Sequence, residues 1–248
     1  MIVCEALAYT AGGFALGPVD LELRPGVSVV LGPNGAGKSS LLALIMGLFR
    51  PKSGRVTIEG HNPLLVSPAL RAGLAALSPQ TIPPVFGICT ADFIAAGAFR
   101  KTHHIYSDPS AARAQGEIME LANLSAQGGQ DFASLSGGEK RRALLARALV
   151  QDAAWTLLDE PTSSLDYAHN RALLDLLRTL KHKGRNLVLV THDADFAMAI
   201  ADRIIFLRKG KIHSEGVPAA ALTEAALREV FGAAFTRTPA GRVLPDYI

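Results

Sequence analysis

Cysteine is nearly absent, with Cys4 and Cys89 alone among 248 residues. Two distant thiols match no metal-ligand spacing and build no disulfide framework, so a reducing compartment is expected. Aromatic residues make up 6% and charged residues 19%, against 49% apolar, which predicts an interior packed from alanine, leucine and valine. No apolar run approaches the ~20 residues of a membrane-spanning helix. The longest, Leu41 to Phe49, is too short to span. The start, Met1-Ile2-Val3-Cys4-Glu5, lacks a charged region followed by an apolar one, so no signal peptide is expected. Net charge is +3 and the isoelectric point about 9.0. Lys140-Arg141-Arg142 is the one basic block, too little to argue for nucleic acid. Internal repeats and low-complexity segments are lacking too.

What remains is a chain long enough for one large α/β domain or two small ones. Its mean hydropathy, +0.23, is high for a free-living soluble protein. Alanine and leucine content accounts for that, as does a large buried interface with a partner. The most informative stretch is Gly32-Pro33-Asn34-Gly35-Ala36-Gly37-Lys38-Ser39, which fits G-x-x-x-x-G-K-[ST]. It follows the apolar run Val27 to Leu31 and precedes the apolar stretch from Leu41, the order strand, glycine turn, helix. Glycines let backbone N–H groups converge on phosphate oxygens, and the helix start adds partial positive charge. Lys38 supplies a point charge to the terminal phosphates, Ser39 a hydroxyl for Mg²⁺, and Ser40 continues the nucleotide-binding stretch. A plain Gly-rich turn is the alternative in a chain with 23 glycines, but strand, lysine, serine and helix all agree.

The opening is β-rich: Ile2 to Leu7 and Val19 to Leu23 partly alternate, as half-buried strands do. Further strands are expected at Arg55–Gly60 and Leu74–Ser78. From Thr81 to about Ala148 apolar residues recur at helical spacing, in Phe93–Phe99 and Ala111–Leu124, with no convincing strand. This reads as an inserted helical subdomain. Short buried strands return at Trp155–Leu158 and Leu187–Val190, with an amphipathic helix near Ala168–Lys181 between them. Arg203–Leu207 and Lys211–Ser214 form a closing hairpin; the tail from Val217 fits one or two short helices and an irregular end.

Nucleotide hydrolysis also needs a carboxylate for Mg²⁺, a group that aligns water, and positive dipole at the γ-phosphate. Leu157-Leu158-Asp159-Glu160 brings two acids to the end of a buried strand. Asp159 would hold Mg²⁺ through water and Glu160 would polarise the nucleophilic water. The alternative, two acids on a surface turn, sits poorly with the apolar residues before them.

The phosphate loop, Gln80, Leu135-Ser136-Gly137-Gly138-Glu139, Leu157 to Pro161, Ser164-Leu165-Asp166 and Thr191-His192-Asp193 stand in the order of an ABC-transporter ATPase subunit, and the chain resembles that family over nearly its whole length. The Leu-Ser-Gly-Gly-Glu signature is the most specific of these; the phosphate loop alone says only P-loop NTPase. The resemblance implies an α/β fold: a P-loop NTPase core with a mixed sheet, an antiparallel β subdomain and the inserted helical subdomain. A single domain would fill residues 1–248, its core about 1–80 and 149–248 and its helical part about 81–148. It implies ATP and Mg²⁺ as cofactors, with Ser39, Gln80 and Asp159 at the metal. Gln80 would also touch the attacking water and report to a membrane partner. His192 would grip the γ-phosphate beside Glu160. Ser136 and Gly138, with Gly137 and Glu139, would serve a nucleotide held by a second copy of the chain, since helix α-amides at the signature form a second anion site. Asp166 would link the two sites. Tyr9 resembles the adenine-stacking aromatic, an ordinary strand tyrosine being the alternative.

Other residues carry less. His103-His104 lies in a polar stretch and reads as solvated rather than metal-binding, and His61 and His169 have no second ligand at a metal-like spacing. The apolar loop from Thr81 to Phe86 would dock a cytoplasmic helix of a transporter subunit, unless Val85, Phe86 and Ile88 simply pack the helical part. One nucleotide-binding unit without spans excludes fused exporters unless the sequence is a piece of a longer chain, and neither the second unit of translation-type relatives nor the long coiled coils of chromosome relatives is visible. Leu135 to Arg142, Asp159 to Tyr167, and the tail segments Gly216-Val217-Pro218, Leu222-Thr223-Glu224 and Val230-Phe231-Gly232 look like the ATPases of iron–siderophore, haem or cobalamin importers. Implied partners are transmembrane permease subunits, a second copy of the chain and, indirectly, a substrate-binding protein, with no nucleic acid, at the cytoplasmic face of the membrane. The alternatives are the ATPase of an energy-coupling vitamin or metal-ion importer, and a soluble ABC-type ATPase that remodels a protein complex.

Overall fold

Five fully buried residues, Val27–Leu31, make the strand on which one half of the molecule is built. In the computed structural model, which describes residues 1–82, 84–100, 109–163, 166–238 and 243–246, the chain forms two compact units. The first comprises Met1–Val66 with Asn186–Ile248, the second Ser67–Arg185.

In the first unit β1 (Ile2–Ala11) pairs antiparallel with β2 (Phe14–Leu23) and with β4 (Ser53–Ile58). Ile2, Cys4 and Leu7 of β1 are buried, and a register shift between Cys4 and Leu7 restores the inward face where strict alternation fails. Strand β3 (Val27–Leu31) runs parallel to β7 (Asn186–Thr191) and β8 (Arg203–Arg208). β9 (Lys211–Gly216) closes the expected antiparallel hairpin on β8. Helix α1 (Lys38–Ile45) follows β3, and α7 (Ala194–Ile200) follows β7. The tail holds α8 (Pro218–Ala221) and α9 (Glu224–Phe231), and then a hairpin of β10 (Phe235–Arg237) and β11 (Val243–Pro245) where an irregular end was expected.

In the second unit α2 (Pro68–Leu74) starts at Ser67, whose hydroxyl accepts from the Leu70 amide, with Pro68 in the first turn. This helix ends at Leu74, so the expected strand is shorter: β5 (Ala75–Ser78), paired parallel with β6 (Trp155–Asp159). Between them lie α3 (Thr90–Ala95), α4 (Pro109–Leu121) and α5 (Gly137–Val150), with no strand among the described residues. Phe93 stacks on Phe132 at 4.0 Å between ring centres, and Arg147 of α5 lies 5.0 Å over the Phe93 ring. Residues 67–80 and 149–185 cluster with these helices because α5 packs on β5 and β6. In α6 (Tyr167–His182), Leu173, Leu176, Leu177 and Leu180 recur at three- and four-residue steps and are all buried. Each such leucine contributes about 2 kcal/mol, which outweighs the modest helix propensity of the segment. No helix of the described residues is long and apolar enough to cross a membrane.

Candidate functional site

In the first unit, β3 ends at Leu31 and the glycine-rich loop carries the chain into α1. Gly37 makes this turn possible. Its φ is 105°, and a Cβ there would stand 2.6 Å from Phe14 Cζ. No side chain caps α1, and the positive end of the helix faces the loop, where an anion is favoured. Lys38 is 6% exposed. Its ammonium donates to the carbonyls of Gly32 at 2.8 Å and Pro33 at 3.2 Å, which curls the loop around the cation. Ala36 N donates to Pro33 O and Gly210 N to Ala36 O, fixing the loop to the β8–β9 turn. Asn34, Gly35 and Ser39 are exposed; Ser40 is half-buried.

The β3–β7 register pairs Leu31 with Thr191, and Gly32 N donates to Thr191 O at 3.2 Å. His192, which is exposed, follows Thr191 directly, so the sheet brings its backbone beside the start of the phosphate loop. Asp193 then caps α7, its carboxylate accepting from the Phe196 amide at 2.9 Å.

Tyr9 stacks on Phe49, with ring centres 5.1 Å apart and planes 11° from parallel. One face of the tyrosine is therefore taken. Phe14, which the sequence reading passed over, is the aromatic that reaches Gly37 of the loop. Its signal was weak: one apolar residue in a hairpin.

The second unit carries the other candidates. Ser136 is the N-cap of α5 and Glu139 its third residue, together a capping box. The Ser136 hydroxyl and amide donate to Glu139 Oε2 at 2.7 and 2.8 Å, and the Glu139 amide donates to Ser136 Oγ at 3.3 Å. These bonds, the hydroxyl's first, hold the Glu139 carboxyl below the usual range. Helix α5 thus begins at Gly137, and Ser136 and Gly137 are exposed at its tip.

Gly138 is buried, and a Cβ on it would lie 2.3 Å from His169 Cδ2. His169 Nδ1 is 2.7 Å from Asp166 Oδ1, and the same carboxylate caps α6 by accepting from the His169 amide at 2.9 Å. That amide bond leads the causes that hold the exposed Asp166 below its ordinary value. The histidine set aside in the sequence as unremarkable therefore packs on the signature. Ser164 and Leu165, and likewise His103-His104, lie outside the described residues.

Strand β6 delivers Asp159, half-buried, and Glu160, 4% exposed, just past its end. Glu160 has φ 46°, a left-handed conformation costly for a glutamate and typical of side chains aimed by a tight turn. Ser163 N donates to Glu160 O at 3.1 Å, closing that turn. Gln80 is exposed two residues after β5. Arg141 of α5 donates to the carbonyls of Gln80 and Pro79 and, at 2.9 Å, to Ser163 Oγ. Burial pulls its guanidinium below the ordinary value, against the attraction of Asp159. The structure thus brings Lys38 and His192 together in one unit, and Gln80, Asp159, Glu160, the signature and Asp166 in the other. Among the described residues no group of three or more His, Cys, Asp or Glu side chains forms a metal cage.

A phosphate loop on an uncapped helix, and a buried strand ending in two acids, define a P-loop enzyme that binds and hydrolyses ATP. The pattern of the ABC transporter family matches residues 16–163, and the chain belongs to that family. It is 37% identical over 238 residues to the hemin import ATP-binding protein HmuV of Enterobacter cloacae, covering 92% of this chain and 89% of that one. A chain from an ABC transporter assigned to the metal-chelate type, solved facing inward, superposes with a TM-score of 0.80 at 27% identity, covering 99% of this chain and 97% of that chain. A bacterial ABC transporter cassette solved as a dimer gives 0.78 at 25% identity, over 88% of this chain and 99% of that one.

Proposed function

We propose that the chain is the ATPase subunit of an ABC importer for a metal chelate such as iron–siderophore, haem or cobalamin. Likeness to the hemin importer's ATP-binding protein over nine-tenths of the sequence carries the cargo class. The uncapped start of α1 and the curled Lys38 support a polyphosphate at Gly32–Ser40. Lys38 would exchange its loop carbonyls for the terminal phosphates, and the loop amides would hold the bridging oxygens.

Mg²⁺ would neutralise phosphate charge in the transition state. The residues fit it: Ser39 offers a hydroxyl, Asp159 a half-buried carboxylate and Gln80 an exposed amide. Glu160, almost fully buried and fixed by its turn, takes the proton of the attacking water, and His192 steadies the γ-phosphate. The tip of α5, Ser136 to Glu139, where Ser136 and Gly137 are exposed, and Asp166 serve the nucleotide of a second copy packed head to tail; the dimeric relative supports a dimer. In this reading residues 81–148 act as the helical part against a core of 1–80 and 149–248. Permease subunits receive the stroke at the cytoplasmic face of the membrane, and a substrate-binding protein delivers the cargo to them.

The test is Glu160→Gln, which keeps the shape of the side chain and removes its basicity. MgATP binding should persist and an ATP-bound dimer accumulate, while turnover falls by about two to four orders of magnitude. Turnover at the wild-type rate refutes the assignment. For the cargo, the complex reconstituted with its membrane subunits should take up hemin or a related chelate only with ATP.

A further inference from the structure

We infer that Arg141 is a positioning residue for ATP hydrolysis: its guanidinium fixes the Gln80 main chain to the turn that aims Glu160. The inference rests on the proposed roles of Gln80 and Glu160 and adds the part that holds them in register.

The geometry is that of a fork whose two terminal nitrogens grip three acceptors. One terminal nitrogen donates to the carbonyl of Gln80 and, at 3.3 Å, to that of Pro79. The other donates to Ser163 Oγ at 2.9 Å, and Ser163 N in turn holds the Glu160 carbonyl at 3.1 Å. A planar guanidinium presents donors in fixed directions, so it sets the spacing between two acceptors as well as binding them. Arg141 is half-buried, where water competes poorly for these bonds. Its charge also faces Asp159. The residue sits on α5, the helix that Ser136 caps. One side chain therefore ties the signature helix, the Gln80 segment and the end of β6.

The bond is to the Gln80 carbonyl, and so it acts on the backbone from which the amide side chain projects. Without it the segment after β5 gains freedom that must be lost again in the transition state. Arg141 touches no substrate atom. Its removal should cost turnover more than ATP affinity, which resides in the phosphate loop.

The experiment uses the full chain with MgATP and four variants: Arg141→Gln, Arg141→Lys, Gln80→Ala, and Gln80→Ala with Arg141→Gln. Arg141→Gln should lower kcat about tenfold, the factor for one charge-assisted hydrogen bond, with KM for ATP within about twofold. Arg141→Lys should recover only part, since an ammonium cannot span two acceptors with fixed spacing. On the Gln80→Ala background, Arg141→Gln should have no further effect on kcat, because Gln80→Ala keeps the carbonyl but removes the amide that Arg141 positions. A wild-type kcat for Arg141→Gln, with only the unfolding temperature lowered, overturns the inference in favour of mere packing. A slow Gln80→Ala variant with an undiminished tenfold effect of Arg141→Gln overturns the inference alone. A wild-type rate for Gln80→Ala overturns the reading of Gln80 and the inference with it. Should Arg141→Gln not fold, Arg141→Lys decides: lowered kcat at unchanged KM supports the inference and wild-type kcat refutes it.

Discussion

Gly138→Ala asks whether the second glycine of the signature is needed for a phosphate or for a neighbour. The added methyl carbon would stand 2.3, 2.6 and 2.7 Å from Cδ2, Cγ and Nε2 of His169. The ring cannot simply swing aside, because its Nδ1 is held 2.7 Å from Asp166 at the start of α6, and that helix is pinned by its buried leucines. Overpacking of this kind costs about 1–3 kcal/mol. Replacing glycine by alanine in a helix returns up to about 1 kcal/mol of propensity. The net expectation is a loss of about 1–2 kcal/mol, a fall in unfolding temperature of roughly 2–8 °C for a chain of this size. Thermal unfolding followed by circular dichroism reads it. The decisive arm is His169→Ala on the Gly138→Ala background. With the ring gone the methyl fits, and the double variant should unfold at or above the temperature of His169→Ala alone. If Gly138→Ala unfolds at the wild-type temperature, or if deleting the ring does not relieve it, the packing explanation of this glycine is wrong. ATPase activity measured alongside divides the roles: recovery in the double variant assigns the defect to packing, and continued loss assigns it to phosphate contact.

Two further expectations follow from named contacts. The lowered Glu139 value means that its contribution to stability is present above the ordinary carboxylate range and is lost as pH falls through the lowered value; Ser136→Ala removes the leading cause, so in this variant the loss should be smaller and complete at higher pH, read by acid titration of α-helix signal. Phe86 is 80% exposed and Val85 half-buried in the loop after Gln80, a segment in which Pro83 lies outside the described residues. Val85→Asp should weaken co-purification with the membrane subunits while ATPase of the isolated subunit persists, and a cross-linking map that places those subunits far from residues 80–100 would contradict this docking site.

What could be read from the sequence was what chemistry concentrates locally. Val27–Leu31 and Gly32–Ser39 announce strand, turn and helix because each residue does one job within a few neighbours, and all three elements are found. Helix α2 has only Ser67-Pro68 as its start signal, and its last residue, Leu74, reads in sequence as the first of the apolar strand that follows; the helix takes Leu74 and buries it. Helix α7 is seven residues of mostly apolar composition, too short for its period to stand out, and only the Asp193 cap marks it. The β10–β11 hairpin pairs three residues on each side, which leaves no alternation to count. Arg141, His169 and Phe14 were illegible for another reason. Each acquires its role from a partner distant in sequence: Gln80 is 61 residues from Arg141, and Gly138 and Gly37 gain their meaning only once His169 and Phe14 are seen against them.

That distribution bears on how ATP turnover reaches a membrane partner. The residues proposed to bind the subunit's own phosphates, Lys38 and His192, belong to one compact unit. Those proposed to hold Mg²⁺ and to activate the attacking water, Asp159 and Glu160, belong to the other, with Gln80 and the signature proposed to serve the opposite subunit. Within this second unit the connections are direct: Arg141 joins Gln80 to the turn after Glu160, and His169 joins Asp166 to Gly138. On the proposed function, a displacement of the signature by a neighbouring nucleotide would reach Gln80 along α5, from Ser136 to Arg141, little more than one helical turn. Coupling of this kind requires the element to move as a piece. The capping box and the two side-chain ties supply that rigidity, and the tie at Arg141 can be cut without touching any group that meets ATP.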